Sequence, residues 1–195
     1  RSAREVVMEK GQDSFIEEFY DKYGVTKFTG YEKTEDEGKL LSLRETKDGK
    51  YLLIFDKTSF YAESGGQVGD QGKIYSDNFV GKVLDVQKQK DIFIHTVEFE
   101  KGIAEENKTY KLVVDVVRRL DTAKNHTATH LLHKALREVV GTHVQQAGSL
   151  VDSEKLRFDF SHYEALTAEQ LSKIEDIVNE KIREGIEVVV SHYSI

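Results

Sequence analysis

Between Gly30 and Asp115 the chain reads as short strands separated by turn signals, and this stretch limits the fold more than any other. The candidate strands are 28–33, 39–45, 51–56, 72–75, 79–87, 92–98 and 109–116. Lys47-Asp48-Gly49-Lys50 has the composition of a hairpin turn, and Ser76-Asp77-Asn78 is a second such break. Lys101 and Gly102 part the sixth candidate from a polar loop at 104–108. Short strands joined by tight turns form an antiparallel sheet or a small barrel.

The flanks follow a different period. Residues 2–23 read as a helix, with Val6, Val7, Phe15, Ile16, Phe19 and Tyr20 at three- and four-residue steps, interrupted by Gly11 and ended by Gly24. A second helical pattern opens at Asn125 and stops at Gly141. Residues 141–151 then read as a strand bending at Gly148, and Leu156, Phe158 and Phe160 alternate with Arg157 and Asp159 in another. Thr167 and Gln170 make a capping box for an amphipathic helix that Gly185 closes, and 186–193 form a last β-rich run. The fold class expected is α+β: a small antiparallel β-barrel-like subdomain packed against an α+β subdomain, with an N-terminal connector helix. The expected boundaries are 1–23, 24–117 and 118–195.

Charge narrows the partners. The 195 residues carry a net charge of −7, so no global basic field advertises nucleic acid. Locally, Arg118, Arg119, Lys124, Lys134 and Arg137 stand against the single acid Asp121, which suits either a solvated face or a phosphate-contacting patch. No cysteine occurs, so there is no disulfide framework and compartment cannot be read from thiols; with no secretory signal and no apolar run near the ~20 residues needed to span a bilayer, a cytoplasmic protein is expected. The chain starts at Arg1 and ends on a strand-like run, as expected of a piece of a longer polypeptide.

Two stretches carry chemistry. In Asn125-His-Thr-Ala-Thr-His-Leu-Leu-His133, the three imidazoles fall in one sector of a helix, opposite Ala128, Leu131, Leu132, Ala135, Leu136 and Val139. His126 and His130, four apart, have the spacing by which one helix offers a metal two nitrogens, although solvated helix faces also carry histidines. A zinc-protease helix needs Glu directly after its first His; here that residue is Thr127. Two nitrogens also leave a tetrahedral zinc short of ligands. In Phe60-Tyr-Ala-Glu-Ser-Gly-Gly-Gln-Val-Gly-Asp70, the paired Gly65 and Gly66 admit another backbone or a ligand, or form a plain hairpin loop. The stretch lacks the Gly-Lys-Ser/Thr ending of a P-loop and the flanking glycines of a nucleophile elbow.

These two stretches, with Gly141-Thr-His-Val-Gln-Gln146, Gly148-Ser-Leu-Val151 and Leu156-Arg-Phe-Asp-Phe-Ser-His162, resemble the editing region of alanyl-tRNA synthetases, in that family's order and spacing. The resemblance covers roughly residues 23–195, and 1–22 are similar to the segment leading in from the aminoacylation half. Freestanding alanyl-tRNA editing proteins and the threonyl-tRNA synthetase editing domain share the His-x-x-x-His idea. The resemblance implies hydrolysis of serine or glycine wrongly attached to tRNA(Ala), with ATP confined to the aminoacylation half. It implies zinc on His126 and His130, completed by a downstream Cys-x-x-x-His; those two ligands are expected beyond residue 195, so the ion is expected to be absent or weak in this chain. Thr129 would read the seryl hydroxyl, and Gln67, with Gly65 and Gly66, would present an amide across the cleft. Arg118, Arg119, Lys124 and Arg137 are candidates for contact with the tRNA acceptor end. Other domains of the same synthetase are expected partners. Two alternatives stay open: a non-catalytic docking module for the acceptor end, and a freestanding deacylase. A metal-dependent hydrolase of another substrate is a third.

Overall fold

The computed structural model describes residues 10–188, with side chains from Ser14 onward. Its elements in chain order are α1 (Lys10–Tyr23), β1 (Lys27–Phe28), β2 (Glu35–Glu45), β3 (Tyr51–Phe55), β4 (Lys57–Thr58), β5 (Gly72–Ser76), β6 (Phe79–Gln89), β7 (Ile92–Lys101) and β8 (Thr109–Val114). Then come α2 (Val116–Val139), β9 (Gln146–Val151), β10 (Leu156–Phe160) and α3 (Ala168–Glu184). The fold is α+β as expected. No helix among the described residues is long and apolar enough to cross a membrane.

The chain divides into two compact units. The first holds the chain up to Ser64 and from Val68 to Arg118; the second holds Gly65–Gln67 and the chain from Arg119 on. In the first, six antiparallel strands close a barrel in the order β2-β3-β7-β6-β5-β8. Closure pairs every strand on both sides and leaves no bare edge. Inward residues such as Leu40, Leu53, Phe55, Ile74, Val83, Val97 and Leu112 fill it and are fully buried. The Lys47–Lys50 hairpin forms as expected, with Gly49 at φ +76° and Thr46 N donating to Lys50 O at 2.8 Å.

A histidine sits inside this barrel. His95 Nδ1 donates to Leu53 O at 3.1 Å, so its Nε2 accepts from Thr58 Oγ1 at 2.8 Å. The neutral ring satisfies both nitrogens, and burial pulls its pKa down to about 4.

Several local expectations shift. Helix α1 runs through Gly11 without a break, while residues 2–9 of the expected helix lie outside the described ones. One glycine costs a helix only about 1 kcal/mol, and α1 buries Ile16 and Phe19 against Ile54, Ile92 and Ile94 of the barrel. Of the expected strand 28–33 only Phe28 is in a strand, because the chain turns after Thr29. The second helix starts at Val116, well before Asn125: Asp115 Oδ1 accepts from Arg118 N at 3.0 Å and caps it. Val116 and Val117 are β-formers by composition, and the cap overrides them.

In the second unit β9 and β10 pair antiparallel, with Gly148 opposite Asp159 and a bulge between Asp159 and Phe160. Residues 141–145 form a loop instead of extending β9, and Gly148 lies within the strand. Ala135, Leu136, Val144 and Ile174 make this unit's core, with Phe158 and Phe160 against it. The capping box of α3 is present, and Gly185 ends it at φ +62°. Of the expected run 186–193, residues 186–188 have no strand and the others lie outside the described residues.

Candidate functional site

The site is built on β9. Gly66 O accepts from Val151 N at 2.8 Å, and Gln67 forms a parallel bridge with Val151. The Gly-Gly-Gln segment is thereby stitched to this strand, which is why it belongs to the second unit. Gly66 has φ +86°, and a Cβ there would stand 2.3 Å from Ser149 Oγ and 2.9 Å from Ser149 O. Only glycine permits this approach. The stem of the segment is held separately: Asp70 N donates to Tyr61 O at 2.9 Å, and Asp70 Oδ2 accepts from Tyr61 N at 2.8 Å. Glu63 accepts from Gln87 Nε2 at 2.7 Å, so it serves the stem. The amide of Gln67 is not engaged by a side-chain hydrogen bond among the described residues, and Gln67 is half-buried.

The residue after Val151 ties the same strand to α2. Asp152 O accepts from Asn125 Nδ2 at 2.9 Å. His126 follows Asn125 directly, so one strand end fixes both the Gly-Gly-Gln segment and the first turn of the His-x-x-x-His run. His126 and His130 lie with ring centres 5.0 Å apart and planes tilted by 38°. Burial, then the neighbouring His130, lowers the pKa of His126 and favours the neutral ring, the form that ligates a metal.

Between them, Thr129 is 5% exposed and its hydroxyl donates to Asn125 O at 2.9 Å. The donor is used within the helix; the oxygen keeps lone pairs that can accept. His133 departs from the expected grouping. Its ring lies tilted against Phe158 at 5.2 Å, and its Nε2 is buried with no hydrogen-bond partner among the described residues. A helix rises 1.5 Å per residue, so His133 stands about 10 Å along the axis from His126, over β10.

Among the described residues no three His, Cys, Asp or Glu side chains gather in a way that could hold a metal ion. His126 and His130 supply two ring nitrogens, half of a tetrahedral zinc set. They fit the ion as a pair and do not complete it.

The basic candidates separate. Arg137 Nη1 donates to Val144 O at 3.0 Å and so anchors the loop between α2 and β9. Lys124 pairs with Asp121 at 3.0 Å on the surface, its side chain 76% exposed. Arg118 Nη1 reaches Gly69 O at 3.5 Å, the outer limit of a hydrogen bond. Arg119, the next residue, is half-buried.

Residues 1–118 match the family model of tRNA synthetases class II (A), more than half of the chain. The chain belongs to the class II tRNA synthetases (A).

This class II synthetase chain is also 92% identical over 195 residues to the alanine–tRNA ligase of Fusobacterium nucleatum, covering 100% of the chain and 22% of that protein. It is 48% identical over 171 residues to the alanine–tRNA ligase of Thermoanaerobacter sp. strain X514 (84% of the chain, 20% of that protein). To that of Pseudothermotoga lettingae it is 47% identical over 195 residues (100% and 22%). The chain thus spans about a fifth of the length of these relatives. The family match stops where the barrel unit ends, at residue 118, whereas the ligase relatives matched at full length extend over the unit that bears the His pair.

Sequence reading of this synthetase chain missed the roles of Asn125 and Ser149. Each acts through one contact to a strand distant in sequence, and nothing local marks such a contact. It also missed His143 and His162, whose Nε2 and Nδ1 lie 2.8 Å apart beside the 81% exposed Tyr163.

Proposed function

We propose that this chain is the proofreading region of an alanine–tRNA ligase, hydrolysing the ester of tRNA(Ala) mischarged with serine or glycine. The observation that carries the reading is the convergence on β9: the Gly-Gly-Gln segment at Val151 and the His-x-x-x-His turn at Asp152, one residue apart. The whole-length likeness to alanine–tRNA ligases supports it.

An aminoacyl ester is already activated, so the site has to place water and carbonyl rather than create a strong nucleophile. The half-buried amide of Gln67 offers a donor and an acceptor for that placement. Thr129 presents an acceptor oxygen to the hydroxyl of a seryl group. Alanine has no such hydroxyl, and a site built to hydrogen-bond one rejects the analogue lacking it by up to ~10⁴–10⁵. His126 and His130 would hold zinc together with two donors from residues other than those described. When bound, zinc polarises an oxygen or orients the substrate amine. Arg118, Arg119 and Lys124 would contact phosphates of the acceptor end.

The reading is tested by grafting this chain in place of its counterpart in the Fusobacterium nucleatum ligase. The graft should hydrolyse Ser-tRNA(Ala) and spare Ala-tRNA(Ala). A graft that charges alanine yet leaves Ser-tRNA(Ala) intact overturns it.

A further inference from the structure

The barrel unit contains a cavity that hydrolysis of the ester does not require. Its volume is about 360 Å³, within the ~300–1,000 Å³ usual for small-ligand pockets. Its walls are aromatic. Phe28 stacks on Phe93 with ring centres 5.3 Å apart and planes within 17°. Tyr31 meets Phe28 edge-on at 4.9 Å, and Tyr61 does so at 6.2 Å. Phe93 is 7% exposed, whereas Tyr31 is 86% exposed and offers a ring face to a ligand.

The floor is fixed by hydrogen bonds. Phe93 N donates to Thr26 Oγ1 at 3.0 Å, and Thr26 N donates to Asp91 O at 3.0 Å. The rim is a strained turn between β6 and β7, where Lys90 and Asp91 take φ of +50° and +58°. Hairpins usually place Asn or Gly at such positions; strain kept at non-glycine residues is common beside ligand sites. The turn brings Asp91 and Lys88 to the cavity as an ion pair at 3.7 Å, with Lys88 Nζ 6.0 Å from the Phe93 ring centre.

We propose that this cavity binds one unpaired base bearing an exocyclic amine (adenine, cytosine or guanine, as opposed to uracil) from the single-stranded acceptor end of the tRNA. Aromatic faces stack bases, and a carboxylate accepts from an amine on the base edge. Once Asp91 turns to the amine, Lys88 is released toward a phosphate. The identity of the RNA rests on the proofreading reading: Tyr61 and Ser64 line the cavity in the run that leads into Gly65.

The test titrates the chain with AMP, CMP and UMP while following backbone amide signals by NMR. AMP and CMP should shift Thr26, Phe28, Tyr31 and Phe93 and bind several-fold more tightly than UMP, whose base has no exocyclic amine and offers Asp91 only a ring N–H flanked by carbonyls. Stacking on an aromatic is worth ~1–3 kcal/mol per base, so Tyr31→Ala should weaken AMP about 5- to 150-fold, and Tyr31→Phe should leave it unchanged. Tyr31 is exposed, so neither variant endangers folding. Shifts elsewhere, no shift with millimolar AMP or CMP, or equal affinity in Tyr31→Ala would overturn the proposal. AMP binding without Ser-tRNA(Ala) hydrolysis defeats the proofreading reading alone; hydrolysis without AMP binding defeats this one alone.

Discussion

Gly66 and Ser149 approach so closely that no side chain fits between them, with 2.3 Å from an ideal Gly66 Cβ to Ser149 Oγ. Gly65, one residue earlier, has φ +59° and open space around its Cβ position. The two glycines therefore answer different demands, one for backbone conformation alone and one for conformation plus contact.

Gly66→Ala should cost roughly 2–3 kcal/mol, combining left-handed strain with displacement from Ser149. At this chain length, that lowers Tm by about 4–12 °C. Gly65→Ala should cost about 1–2 kcal/mol, the strain term alone. Deacylation of Ser-tRNA(Ala) should fall at least tenfold for Gly66→Ala. Thermal unfolding and initial rates check both, and equal effects at the two positions would contradict the assignment.

Thr129→Val removes the hydroxyl that donates to Asn125 O. Losing that bond should cost on the order of 1 kcal/mol of stability. The larger effect expected is on selectivity, with the preference for Ser-tRNA(Ala) over Ala-tRNA(Ala) narrowing at least tenfold. Thr129→Ser should retain it. Unchanged discrimination in Thr129→Val would remove this residue from the specificity role.

His95 makes stability depend on pH. Its folded pKa of about 4 lies below the ordinary value of 6.5, so the unfolded chain binds the proton more tightly. The stabilisation is complete above pH 6.5 and is lost as pH falls from 6.5 toward 4. At 1.36 kcal/mol per unit it amounts to about 3 kcal/mol. Urea unfolding from pH 7.5 to 4.5 measures it, and His95→Gln should flatten that part of the profile.

The barrel was legible because its turns carry local signals: Gly49 and Ser76-Asp77-Asn78 stand where the chain reverses. The reversal at Lys90 and Asp91 was legible only as the gap between the candidate strands 79–87 and 92–98, since Lys90 is not a residue that left-handed turns normally take. The start of α2 hid behind Val116 and Val117, whose composition suits a strand, while the Asp115 cap decided otherwise. At the site, the demand for Gly66 comes from Ser149, far along the chain, while the His-x-x-x-His spacing was readable from adjacent residues. The Phe28–Phe93 stack was not, since 65 residues separate its partners and Phe28 lies on β1, which pairs with β4 outside the barrel.

The basic residues should divide by role. Arg137→Gln should reduce stability by about 1–2 kcal/mol through the lost bond to Val144 O, with no change in the salt dependence of tRNA binding. Lys124→Ala should leave stability unchanged and lower the slope of log K against log salt by about 0.7–0.9. A slope change for Arg137 and none for Lys124 would reverse the two roles.

The most direct measurement is the rate of serine release from Ser-tRNA(Ala) by the Fusobacterium nucleatum ligase carrying this chain, with and without His126→Ala and His130→Ala. The account predicts release by the intact graft, a fall of at least 100-fold in the double variant, and alanine charging at full rate in both. Serine release that survives loss of both histidines would contradict it.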